Sequence, residues 1–283
     1  MTHTLEVPGA TLAYDVHQAE ADDAPILLMI GCPMDATGFT ALAGRFRDRT
    51  VVTYDPRGIG RSERDGDGES TPEQHADDVH RLIRAVGGGP VDVFASSGGA
   101  VNALALVARH PERVRTLVAH EPPAAQALPD RERALASVVD ICRTYDRDGF
   151  GAAMAKFIAV SSLRGEVPAG FADLPVQKPE ELGFPAEDDG SRDDPMFAQN
   201  LMTCTHYEHD FEALRAAPTR IVIGVGAESE GELAHRAGVA VAARLGTEPV
   251  VFPSHHGGFL DGQFGMAGDP DGFAATLRRV LSA

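Results

Sequence analysis

Three cysteines, Cys32, Cys142 and Cys204, are all that the 283 residues contain. They are odd in number and scattered, so neither a disulfide framework nor a zinc knuckle is indicated. Lysine is nearly absent: Lys156 and Lys178 stand alone, and arginine supplies the other basic residues. That skew has the look of coding bias in a GC-rich genome and carries no mechanism. Positive charge is scarce as a whole, and the formal net charge is −17. An acidic surface repels nucleic acid and anionic membranes, so neither is expected as a partner. Polyanionic substrates are disfavoured for the same reason, unless a local basic pocket holds them. No apolar run approaches bilayer length, and "MTHTLEVPGATLAYDV" lacks a basic-then-apolar leader. The expectation is a soluble cytoplasmic protein. Internal repeats are missing, and neither "GGGP" (87–90) nor "GVGAES" has the full glycine pattern of a dinucleotide loop. No motif fixes an oligomeric state.

The length suits one large α/β domain, or such a domain with a sizeable insertion. Residues 4–16 alternate and turn at Pro8-Gly9, which predicts an N-terminal hairpin. "PILLMIG" (25–31) and "TVVTYD" (50–55) are continuous apolar runs, the pattern of strands buried on both faces. "VDVFA" (91–95), "RTLVAHE" (115–121), "TRIVIGVGA" (219–227) and "PVVFP" (249–253) read as further strands. Helical patterns fall between them. In one, Thr71 is placed to cap, Pro72 takes the first helical position, and Ala76, Val79, Leu82, Ile83 and Val86 form an apolar face. Other helices fall at 98–109, near 231–245 and near 271–282. The alternation predicts an α/β fold: a mostly parallel, eight-stranded-type sheet with helices on both faces.

That rhythm lapses once. Residues 125–210 show helical patches ("RALASVVDICRTY", "FGAAMAKFIAV") and a Pro/Asp/Glu-rich middle with no good strand. The expected organisation is a core of 1–124 and 211–283, with a helical cap of 125–210 inserted after the sixth strand. Within the cap, "EDDGSRDD" (187–194) reads as a solvated loop. Tyr145, Phe150, Met154, Phe157 and Tyr207 suit either a pocket wall or core packing.

The stretch "VDVFASSGGAVNALALVARHPERV" (91–114) places two serines in a strand-to-helix turn. In open parallel sheets, substrate-binding groups collect at the carboxyl ends of strands, where Ser97 lies. Ala95 and Gly99 flank it at two residues on each side. This resembles the nucleophile elbow of the α/β-hydrolase family, small-x-Ser-x-small, with Ala95 in place of the usual first glycine. Ser96 would have Phe94 at its first flank, which is too large, so Ser97 is the candidate nucleophile.

Other segments carry the same resemblance over residues 1–124 and 211–283. "PVVFPSHHGGFLD" supplies a histidine after the last strand, and His256 fits the family position better than His255. After "ILLMI" the family usually has His-Gly-x-Pro; here the chain reads Ile30-Gly31-Cys32-Pro33, without the histidine. The resemblance implies an oxyanion hole formed by the backbone N–H groups of Cys32 and Gly98. It gives the Cys32 thiol no covalent role, since no base is evident for it. "YDPRGIGRSERD" (54–65) matches the family's Asp-x-Arg-Gly-x-Gly-x-Ser turn, with Asp55, Arg57, Gly58, Gly60 and Ser62 read as structural.

The acid departs from the pattern. The family's Gly-x-x-Asp turn reads Gly226-Ala227-Glu228-Ser229 here, and Ser229 in the Asp position supplies no negative charge. Three glutamates remain: Glu228 or Glu230 with a shifted turn, of which Glu230 best fits a solvated turn residue, or Glu121 at the end of "LVAHEPP", where some haloalkane dehalogenases of this fold carry their acid. Glu121 is preferred, because a glutamate between a buried strand and Pro-Pro is otherwise an awkward charge to bury. "HYEHD" (206–210) spaces His206, His209 and Asp210 like metal ligands, but no further ligand is obvious and no metal is expected.

The resemblance implies a serine hydrolase acting on a small to medium carboxylic ester or lactone through an acyl-enzyme, with no cofactor. Carbon–carbon bond hydrolysis and cofactor-free perhydrolysis use the same triad and stay open. So does a non-catalytic ligand-binding homologue, motivated by the missing Asp and loop histidine.

Overall fold

A computed structural model describes residues 1–19, 24–66, 70–171 and 174–283. Strands β1 (Thr2–Val7) and β2 (Ala10–His17) form the expected antiparallel hairpin. β2 also pairs antiparallel with β4 (Val51–Tyr54). From there every pairing is parallel, through β3 (Leu27–Ile30), β6 (Val91–Ser96), β7 (Val114–His120), β8 (Arg220–Gly226) and β9 (Val250–Phe252). The order is β1-β2-β4-β3-β6-β7-β8-β9, with the two-residue β5 (Glu63–Arg64) beside β2.

Alternation along the strands sends side chains to two separate cores. Leu28, Ile30, Val52, Val93 and Ala95 pack under α2 (Pro72–Ala85), α3 (Gly98–Arg109), α6 (Phe211–Ala216) and α7 (Leu233–Leu245). Leu27, Met29, Val51, Phe94 and Val118 pack on the other face under α1 (Thr40–Ala43) and α8 (Pro270–Ser282). Both faces are covered, which is why β3, β4 and β6 are buried at every residue. The start of α2 follows its sequence signals: the Thr71 hydroxyl accepts from Gln74 N–H, and the Gln74 side chain accepts from Thr71 N–H.

The turn after β4 is held as expected. Asp55 accepts from Ala36 N–H (3.0 Å) and Arg61 N–H (2.8 Å), and Ser62 donates to the Asp55 carbonyl (2.6 Å). Arg57 reaches α2 and makes a two-pronged ion pair with Asp78 at 2.8 and 2.7 Å, both residues buried. Removing one charge strands the other away from water. Asp78→Asn should therefore cost about 3 kcal/mol, read as a lower urea midpoint at unchanged slope, with the specific activity of the folded protein preserved.

After β7 the chain leaves the sheet. A 3-10 turn (Ala125–Ala127) leads into α4 (Arg131–Ser161), which breaks at Gly149 (φ 82°, ψ −172°). The two helical patches seen in the sequence are successive halves of this one element. A 3-10 turn (Pro179–Leu182), a π-helical turn (Pro195–Asn200) and α5 (Leu201–Thr205) complete the insertion. Among the described residues no strand lies between β7 and β8. With the two-residue β5 set aside, β7 is the sixth strand, the expected point of insertion. The insertion has its own core, including Ile141, Tyr145 and Phe197, which extends onto Leu233 and Ala237 of α7.

Two sets of polar bonds tie the insertion down. On its return leg, Asn200 accepts from His75 (2.8 Å), Gln199 from Arg64 (2.8 Å), and Thr203 donates to the Ser70 carbonyl (2.7 Å). On its outward leg, Asp130 pairs with Arg236 of α7 and Gly165 N–H donates to the Gly231 carbonyl (2.9 Å), while Asp130 also accepts from Val167 N–H (2.8 Å) within the insertion. Among the described residues no helix is long and apolar enough to cross a membrane.

Candidate active site

β6 ends at Ser96 and α3 begins at Gly98, leaving Ser97 alone to make the bend. Its backbone sits at φ 58°, ψ −131°, a conformation a non-glycine residue adopts only under constraint. The constraint comes from two sides. Ser97 N–H donates to the His120 carbonyl at the end of β7 (3.0 Å). On the other side α3 lies so close to the end of β3 that a Cβ on Gly99 would stand 2.5 Å from the Ile30 carbonyl oxygen. The small residues around the serine are thus a steric requirement. Ser96 points inward instead: it is 2% exposed, and its hydroxyl lies 3.2 Å from His120 Nδ1.

His256 follows β9 on a turn opened by Ser254, also at positive φ. Its Nδ1–H donates to Glu121 Oε2 at 2.6 Å. Glu121 is fully buried, at φ 45°, directly after β7. Its other oxygen accepts from Gly226 N–H (2.8 Å) and from the Ser229 hydroxyl. Burial acts to raise the Glu121 pKa. The bond from His256, the His256 and His120 charges and the Ser229 hydroxyl outweigh it and bring the carboxyl down to about 2. His120, sealed beside it among Phe94, Phe252, Phe259 and Phe273, is pushed by burial down to about 4 and serves as a neutral packing ring.

The depressed Glu121 pKa has a consequence for acid behaviour. A carboxyl held below its unfolded value stabilises the fold fully above that value, near 4.5, and the contribution fades as pH falls toward about 2. Stability measured by denaturant titration should decline over that window in the native protein. In Glu121→Gln this part of the decline should vanish. The carboxylate also stays ionised above pH 4.5, so its protonation does not set the acid limb of a pH–rate profile.

The glutamates left open by the sequence occupy different places, and Glu230 is exposed. Glu228 is exposed; its N–H donates to the Ser254 carbonyl (2.9 Å) and its carbonyl accepts from Arg164 (2.9 Å). The acceptor of His256 is Glu121. The sequence marks Ser229 only as a missing acid, whereas its hydroxyl donates to Glu121. The signal was present: a glutamate after one strand and a serine after the next, which meet at the one carboxylate bonded to His256.

Ser97, His256, Cys32 and Gly98 border one cavity of about 370 Å³, roofed by apolar residues of α4 such as Ile141, Phe157 and Val160, and by Met196 and Leu201. Gly98, as the first residue of α3, has an N–H with no acceptor inside the helix. The N–H of Cys32 donates to no protein acceptor among the described residues. The Cys32 thiol is pushed well up, first by the neighbouring Cys204 thiol and then by burial, and so stays protonated. His75 Nε2 lies 4.0 Å from this sulfur, but it donates its proton to Asn200 and is no base for a thiol. His255 serves the loop around it, with Nδ1 accepting from Gly257 N–H (3.0 Å) and Nε2 meeting the Ala267 carbonyl (3.2 Å).

The histidines of "HYEHD" do not converge. His206 bonds the Met202 carbonyl, both His209 ring nitrogens are sealed off, and Asp210 caps α6 through Ala213 N–H. His80, His110 and Glu112 do gather ligand atoms within 4.8 Å of one another. The two rings are stacked face to face, 3.9 Å between centroids at 24°. Their in-plane lone pairs run side by side and cannot meet on one ion.

Residues 26–214 match the family model of the alpha/beta hydrolase fold. The "uncharacterized hydrolase YraK" of Bacillus subtilis (strain 168) is 32% identical over 266 residues, 90% of this chain and 89% of that protein. Among solved structures, a thermophilic esterase from Thermogutta terrifontis superposes with TM-score 0.70 at 21% identity, covering 100% of this chain and 98% of that one. The enol-lactonase from Burkholderia xenovorans LB400 superposes with TM-score 0.62 at 19% identity, covering 99% and 100%.

Proposed function

The chain belongs to the alpha/beta hydrolase family, and from that premise we propose that it is a serine hydrolase of small to medium carboxylic esters or lactones. Ser97 is the nucleophile, His256 the base and then the acid, and Glu121 the group that holds the imidazole. The observation that carries this reading is the 2.6 Å bond from His256 Nδ1 to a buried carboxylate. It commits one ring nitrogen and leaves Nε2 as the basic one, on a ring that borders the same cavity as Ser97.

In the reaction, Nε2 takes the Ser97 proton as the oxygen attacks the carbonyl carbon. The oxyanion forms against the N–H groups of Cys32 and Gly98, which are fixed before substrate arrives. His256 then gives its proton to the leaving alkoxide, and a water activated by the same nitrogen releases the acid. Glu121 stabilises the imidazolium at each stage. Because Glu121 supplies the acid that the Ser229 position lacks, turnover is favoured over a binding-only role. The cap of 125–210 closes the cavity over a core of 1–124 and 211–283. Three cysteines without a disulfide suit a reducing cytoplasm.

The test is pre-steady-state hydrolysis of p-nitrophenyl butyrate alongside labelling by a fluorophosphonate. A burst of nitrophenol approaching one equivalent, with a single label on Ser97, is expected. Intact protein that neither bursts nor labels refutes the reading.

A further inference from the structure

Among the described residues, no lysine or arginine borders the cavity. Residues 20–23, 67–69 and 172–173 contain neither. The ionisable side chains there are His256, the thiols of Cys32 and Cys204, and Glu232. His256, when it carries a proton, is balanced by Glu121. Glu232 has no comparable partner. It directly precedes α7, with its N–H bonded to the Ser229 carbonyl (2.9 Å), and its side chain is 26% exposed. The nearest cation is Arg164, at 3.9 Å from Oε1; that guanidinium is 65% exposed and already donates to the Glu228 carbonyl. The wall is otherwise apolar, with Val138, Ile158 and Leu233 among its members.

We infer that the cavity selects uncharged acyl groups, and that Glu232 is the residue that turns away carboxylate-bearing substrates. This rests on the esterase reading above and narrows it. A carboxylate entering the cavity gives up its hydration and finds no cation to replace it. It also meets the Glu232 charge, which the exposed Arg164 at 3.9 Å offsets only in part. An amide of the same shape loses hydration too, but feels no repulsion. The net charge of −17 adds to the same discrimination at the encounter stage.

The experiment uses three nitrophenyl esters of one length: the hexanoate, the adipamate and the mono-adipate, whose chains end in methyl, carboxamide and carboxylate. Native protein should show a kcat/KM ratio of adipamate to adipate of about 10² at low salt. In Glu232→Gln the ratio should fall below about 10. Equal rates for amide and carboxylate in the native protein overturn the inference, and so does a ratio unmoved by the substitution. A separate arm keeps the outcome independent of turnover: calorimetric binding of hexanamide and of adipic acid monoamide. Tighter binding of the uncharged amide is expected, and equal affinities refute the selection. Failure of all three esters to turn over would count against the triad, while the binding arm would still decide the selectivity.

Discussion

Ser97→Ala should lower kcat on an activated ester by about 10⁵- to 10⁶-fold, with the circular dichroism spectrum and melting temperature held. The large loss follows from the division of labour in the site. On the proposed mechanism Cys32 and Gly98 still polarise a bound carbonyl and His256 still activates water, so a residual rate above buffer is expected. The covalent route, however, is gone, and with it the advantage of an oxygen already fixed at attacking distance. The fold should be little affected, because alanine keeps the Cβ and the N–H bond to His120 and so carries the same φ 58° strain. A variant that unfolds instead would make the serine a structural keystone. One that retains more than a tenth of native turnover would remove it from the mechanism.

Glu121→Gln is the second large effect, about 10⁴-fold in kcat, and its cause can be followed atom by atom. One oxygen of Glu121 accepts from Gly226 N–H and the Ser229 hydroxyl, and the other accepts from His256. A glutamine has one acceptor and one donor. Gly226 N–H cannot turn around, so the amide oxygen must stay on that side and its NH₂ must face His256. The imidazole is then obliged to present a lone pair at Nδ1 and to carry its proton on Nε2. In that tautomer it cannot take the proton of Ser97. Glu228→Gln, by contrast, should leave kcat within about twofold, since Glu228 is exposed and makes its described hydrogen bonds through its backbone. Turnover measured on both variants separates them; equal losses, or a larger loss at 228, would refute the assignment.

The places of Ser97 and His256 were readable from the chain because each is bound to local sterics: small flanks for a strained turn, and a position just past the last strand. The acid was harder to read. Its place depends on which of two adjacent strand ends, β7 or β8, sends a carboxylate across to the histidine, and that adjacency is a property of the sheet order. The family pattern puts an acid where Ser229 stands, so the substitution looked like a loss until Glu121 and Ser229 were seen to share one carboxylate site. Secondary structure shows a similar division. Thr71-Pro72 and the apolar strands announce themselves through capping and burial, whereas the run from 131 to 161 reads as two patches because Gly149 breaks its periodicity. Glu232 was invisible in the sequence, since nothing local distinguishes a glutamate before a helix from one that faces a cavity.

The fastening of the cap on both legs, at Asp130 and Gly165 and again at Gln199, Asn200 and Thr203, bears on which guest the chamber takes. These bonds hold Ile141, Phe157 and Val160 over the cavity that Ser97 borders, so those side chains set how long an acyl group it takes. Homologous esters of increasing chain length should accordingly show a step in KM where the acyl group outgrows the chamber, in place of a gradual slope.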